Sequence, residues 1–97
     1  MKDEFITRVG VLGQRHYNYL KKHFPTVINV MNGTLEQYLK DIDKDAKEML
    51  NKLVKQLADS EGINEELKSA NEIDWIRSMN SIRNRAEEIV LSEMIYN

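Results

Sequence analysis

The chain has 97 residues, which is one domain's worth of polypeptide, and its 14 Lys and Arg against 16 Asp and Glu leave a net charge of −2. That near-balance excludes a simple polycation that coats nucleic acid through charge alone, and the absence of Cys excludes disulfides, thiolate metal sites and a Cys nucleophile. A hydrophobic share of 41% with 31% charged residues fits a globular chain, and no apolar run reaches the length of a membrane span, so a cytoplasmic protein is expected.

Helix formers dominate, and the single Pro and four Gly punctuate them. Residues 1–11 can form either a helical turn or an extended arm, with Phe5, Ile6 and Val9 as the apolar positions. A first helix is predicted over about 12–24, where Leu12, His16, Tyr19, Leu20 and Phe24 share a broad face. Pro25 stops it and opens a short second helix, about 25–32, which Gly33 ends. Thr34 and Gln37 have the spacing of a capping box. Behind them Leu35, Tyr38, Leu39, Ile42, Ala46, Met49, Leu50, Leu53 and Leu57 recur in steps of three and four, predicting a long helix over about 34–61. Its flanks carry Glu36–Lys40, Asp43–Lys47 and Glu48–Lys52 at i, i+4.

Gly62 ends that helix. Asn64 can cap a short turn at 65–70, and Asn71 with Asp74 can cap a final helix over about 72–95. The apolar face of the last helix comprises Trp75, Ile76, Met79, Ile82, Ala86, Ile89, Val90 and Met94. The expectation is an all-α single domain, 1–97: a long antiparallel hairpin braced along Leu35–Leu57 and Trp75–Met94, with the two shorter helices packed on it. Leu91 and Ile95 fall off the main face, which makes them candidates for a homodimer contact.

Charge is unevenly placed. Residues 1–33 carry a net +3, residues 34–74 a net −5, and the remainder balances. Arg15, Tyr17, Lys21 and Lys22 in the first helix, with Arg77 and Arg85 in the last, are candidate contacts for a nucleic acid or another partner. Asp41, Asp43, Glu48 and Asp59 form a candidate acidic docking face that would mimic phosphates opposite a nucleic-acid channel. Arg83 projects into the apolar arc of the last helix, and Asp45 at the edge of the facing arc is its candidate mate in a buried ion pair. Asp41, Asp43 and Asp45 fail as a calcium loop, with Ala46 where Gly is required and Lys52 where Glu is required. His16 and His23 stand about 10 Å apart along a helix, too far to share a metal directly. No nucleophile, phosphate-loop or metalloprotease motif is present, so the chain is expected to be non-enzymatic and to need no cofactor or metal.

Three runs carry a resemblance: GQRHYNYLKKH (13–23), YLKDIDKDAKEMLNKLVKQLADSEGINEELKSAN (38–71) and WIRSMNSIRNRAEEIVLSEMIY (75–96). Together they resemble the transposon-encoded TnpV family of small bacterial proteins over about residues 12–96. The stretch MNSIRNRAEEIVL is the most specific, because helix propensity alone does not dictate it. Only about a dozen residues precede the Gly-x-Arg-x-x-x-Tyr-Leu stretch, which reads as a truncated N-terminus relative to the family. The resemblance implies carriage on a bacterial mobile element and brings no catalytic residues. It points to an accessory protein that binds a protein or nucleoprotein partner, such as recombination machinery. An anti-CRISPR-type inhibitor that binds and blocks a Cas nuclease is the alternative on grounds of genetic company. Direct DNA binding through the basic first helix is the second alternative.

Overall fold

The computed structural model describes residues 4–97, and among these every regular element is helical. A 3-10 turn, Glu4–Arg8, leads into α1 (Val11–His23), α2 (Pro25–Val30) and the long α3 (Leu35–Ser60). A short α4 (Glu65–Ala70) precedes α5 (Glu72–Val90), whose last turn, Leu91–Ile95, winds as a π-helix. The punctuation falls where the sequence places it. Pro25 begins α2, and the Asn64 and Asn71 side chains accept the Leu67 and Asp74 N–H groups. The capping box does not form. Thr34 has helical backbone angles, so its hydroxyl turns back to the Met31 carbonyl, while the Gln37 amide donates to Asp41.

Of the stretch 1–11, residues 1–3 lie outside the described residues and Glu4–Arg8 forms a turn, with Phe5 and Ile6 packed beside the buried Val9, Tyr17 and Leu39. A second cluster joins Leu12, Ala46, Val90 and Ile95, supported by Ile42, Met49, Leu50, Leu53, Leu91 and Met94. Helix α1 lies against α3 and reaches the π turn, so three segments meet at its first two turns. The crossing with α3 is close. A Cβ on Gly13 would stand 2.5 Å from Val9 and 2.7 Å from the Leu39 carbonyl, and one on Gly10 would enter the Asp43 carboxylate. Glycine is required there for the approach itself, whatever the backbone angles.

The hairpin is staggered. Arg85 of α5 pairs with Glu61 at the end of α3 at 2.7 Å, while Val90 and Ile95 meet Ala46 near its middle. Antiparallel packing in that register leaves the start of α5, about 15 Å of helix, beyond the end of α3. This overhang packs on α4 instead, with the Lys68 ammonium 4.8 Å above the Trp75 ring. The molecule is consequently 53 Å long and only 22 × 17 Å across.

Two sequence expectations are corrected at the C-terminal end. Continued α-helical winding would turn Glu93 toward the core and Ile95 away from it, because residue 93 lies in phase with Ile82. The π turn resets that phase, with the Tyr96 N–H bonded to the Leu91 carbonyl at 2.8 Å. Ile95 is fully buried, Leu91 is partly buried in the same cluster and Glu93 is exposed, so both aliphatics pack into the chain's own core.

Candidate functional site

His16 organises the junction of α1 with the C-terminal turn. It is buried, its Nδ1 lies 2.8 Å from the Ile95 carbonyl oxygen and its Nε2 lies 2.9 Å from the Tyr38 hydroxyl. A carbonyl can only accept, so Nδ1–H donates to Ile95, and Nε2 is left to pair with the Tyr38 hydroxyl. Burial pushes the Tyr38 phenol above its ordinary value, which keeps that proton in place. Fixing the Ile95 carbonyl also fixes the residue that follows. The Tyr96 ring stands 5.7 Å from Tyr19, and Tyr19 in turn lies 4.8 Å from His23 and 5.9 Å from Phe24.

The Tyr19, His23 and Tyr96 rings wall a cavity of about 430 Å³ whose remaining lining is Arg15, Asn18 and Lys22. Phe24 is 47% exposed and Tyr96 46% exposed, an uncommon amount of aromatic surface for a chain with so few rings. Lys22 has no ion-pair partner among the described residues, and Arg15 meets Glu87 only at 3.6 Å. The surface is therefore aromatic and basic on a chain that is acidic as a whole.

A larger groove of about 800 Å³ lies on the other side of α1, floored by Phe5, Tyr17, Ile28 and Leu35. Its charge is neutralised from within. Arg8 clasps Glu36 through two hydrogen bonds of 2.7 and 3.2 Å, and Lys40 adds a contact of 2.9 Å. The Arg8 hydrogen bonds, then the Lys40 contact, hold the Glu36 carboxyl down at about 2. An outside ligand would have to displace a complete ion-pair set.

The predicted contacts do not converge on one surface. Arg15 and Lys22 line the smaller cavity. Tyr17 is buried, edge-on to Phe5 at 5.5 Å, and the Lys21 ammonium sits 4.7 Å over it on the opposite side of α1. Arg85 is held by Glu61 through bonds of 2.7 and 2.9 Å. Arg77 is exposed on the overhang, about 15 Å along α5 from the Glu87 that faces Arg15. A basic band running from α1 to α5 is thus not formed.

The acidic face is also revised. Asp41, Glu48 and Asp59 are exposed and in phase along α3, but Lys44, Lys52 and Lys55 lie close in phase on the same side, so no phosphate-like field results. Asp43 points the other way. It is buried, accepts the Gly13 N–H at 3.0 Å and pairs with Lys47 at 2.7 Å, capping α1 from another helix. Burial raises its pKa, and the Lys47 ammonium and the helix N–H groups outweigh that, leaving the carboxyl below its usual value. Asp45 and Arg83 are both exposed, so the expected buried pair does not exist. The buried ridge of α5 runs through Ile82, Ala86 and Val90, and Arg83 lies about 60° from its mean direction, at the edge and exposed.

Sequence reasoning gave Tyr96 no role and placed Tyr19 on the apolar face of the first helix. The available signal was the pair Leu91 and Ile95, two aliphatics out of phase with the helix before them. They mark the change of winding that brings Tyr96 onto α1.

None of the described helices is long and apolar enough to cross a membrane. No curated protein and no solved structure shows significant similarity to this chain. A family model described as transposon-encoded protein TnpV matches residues 1–95, taking in the first eleven residues, the first two runs quoted above and the third as far as Ile95. With a match across nearly its whole length, the chain belongs to the transposon-encoded TnpV family.

Proposed function

We propose that this protein is a non-enzymatic accessory of its mobile element and acts by binding a protein or nucleoprotein partner through the aromatic and basic surface of α1 and Tyr96. The observation that carries the reading is the exposure of Tyr96 in a cavity that also holds Lys22, which has no ion-pair partner among the described residues. Aromatic and cationic side chains at the edge of a pocket are the residues that dominate binding energy at interfaces. Two of the other arginines are committed to internal pairs, Arg8 with Glu36 and Arg85 with Glu61, and the exposed Arg77 and Arg83 line neither of the two cavities described above.

The test is recovery of partners from a bacterial host that carries an intact element. Affinity-tagged wild-type protein should retain at least one element-encoded component, and the double variant Tyr96→Ala, Lys22→Glu should lose it while keeping its helical circular dichroism. Equal recovery by the two proteins would overturn the assignment of the surface.

A further inference from the structure

We infer that the cavity between α1 and the C-terminal turn receives one unstacked base, with its phosphate, of a single-stranded nucleic acid. The assignment rests on the partner-binding reading above and gives that partner a chemistry. One side of the cavity is built of rings: Tyr19 and Tyr96 are 5.7 Å apart and inclined at 56°, and His23 lies 4.8 Å from Tyr19 at 43°. The other side supplies Arg15, Lys22 and the Asn18 amide. A π surface flanked by cations suits a ligand that is flat and apolar in one part and anionic in the next, which describes a nucleotide unit.

Size and charge agree with this. About 430 Å³ lies within the roughly 300–1,000 Å³ of sites that enclose small ligands. The 3.6 Å separation of Arg15 from Glu87 is longer than a direct hydrogen bond, so the guanidinium can turn to a phosphate without breaking one. Glu87 is the carboxylate that faces this rim, and Lys22 and Arg15 outnumber it. Tyr96 is also held ready, because the bond from His16 to the Ile95 carbonyl orders the backbone beside it before any ligand arrives.

A duplex fits less well. Its bases are stacked on each other and unavailable to the rings, and Arg77 and Arg85, which would have extended a backbone track, lie elsewhere. An acidic peptide would satisfy the cations but has no need of three clustered rings.

The experiment is fluorescence anisotropy with the full chain and labelled oligothymidylate and oligouridylate of about eight residues, against a duplex of equal length. Single strands should bind saturably at low salt and about tenfold tighter than the duplex, with a salt slope near −1, as for one or two phosphates. Binding by either the DNA or the RNA strand supports the inference, and a preference between them reports whether the 2′-hydroxyl is sensed. Tyr96→Ala should weaken binding about tenfold, the loss expected from one stacked base, and Tyr96→Phe should retain it. Lys22→Glu should weaken binding and flatten the salt slope.

Equal affinity for the duplex, wild-type affinity in both Tyr96→Ala and Lys22→Glu, or no single-strand binding at low salt would each overturn the inference. Recovery from the host separates this outcome from the broader reading. A partner that resists nuclease treatment, found together with failed oligonucleotide binding, removes the nucleic-acid assignment and leaves partner binding in place. Loss of both removes the two together.

Discussion

His16 makes two hydrogen bonds, and both partners come from other segments, Tyr38 in α3 and Ile95 in the π turn. Replacing it by Phe keeps the ring and leaves a buried carbonyl and a phenol unmatched. Each unmatched buried group costs about 1–3 kcal/mol, so His16→Phe should lose about 2 kcal/mol or more in urea unfolding, a large share of a small domain's stability. An unchanged midpoint would remove His16 from its structural role. The sequence shows His16 on an apolar helix face, which is enough to bury it. It does not show the partner 79 positions away, because that contact depends on how the last turn winds. Asp43 and Asp45 illustrate the same boundary. They lie two positions apart on one helix, and only the placement of α1 decides that Asp43 is the buried one.

At the scale of elements, the α1–α3 crossing depends on Gly10 and Gly13 for proximity and on Asp43 for the N-terminal N–H groups of α1. A carboxylate whose folded pKa is depressed stabilises the fold fully above its unfolded pKa, near 4, and loses that contribution as pH falls through the folded value. Asp43→Asn should therefore be less stable than wild type by about 1 kcal/mol at pH 7, as for a lost helix-end charge. The gap should close as the pH falls through the depressed folded value of Asp43 in a chemical-denaturation series. A gap independent of pH would assign the loss to packing. Element boundaries were well marked in the sequence by Pro25, Gly62, Asn64 and Asn71, since each acts on its own backbone. The capping box was misread because Thr34 continues the turn leaving α2, and spacing alone does not report backbone angles.

The whole molecule has a radius of gyration of 16.9 Å, against about 12.5 Å for a compact chain of this length. The stagger produces that shape. Periodicity picked out Leu39, Ala46, Ile82, Ala86 and Val90 as inward-facing, and it could not tell the register, which is set by the connection through α4 and leaves Ile76 exposed. The two ends should differ in stability. Beyond Glu61 the start of α5 is backed only by α4, with Ile73 63% exposed and Ile76 44% exposed, whereas Ile82, Ala86 and Val90 are fully buried. Hydrogen exchange should be about tenfold or more faster for the amides of Arg77–Ser81 than for those of Ala86–Val90, as local opening precedes global unfolding. Trp75, the sole tryptophan, sits in the weaker end. Its fluorescence should change at a lower denaturant concentration than the circular dichroism, and coincident transitions would show that the overhang is not separately labile.

One unbroken helical path, Glu72 to Ile95, joins the slender end to the ring at Tyr96, and it behaves like a screw thread. A single residue added after Asn84 would rotate everything downstream by about 100°, carrying Val90 and Ile95 out of their seats. The same addition after Gly62 falls between threads and turns nothing. Scanning insertions should therefore be tolerated in the short connection and rejected along the middle of α5. The π turn is the native version of such an insertion, placed where a change of pitch seats Ile95 instead of unseating it.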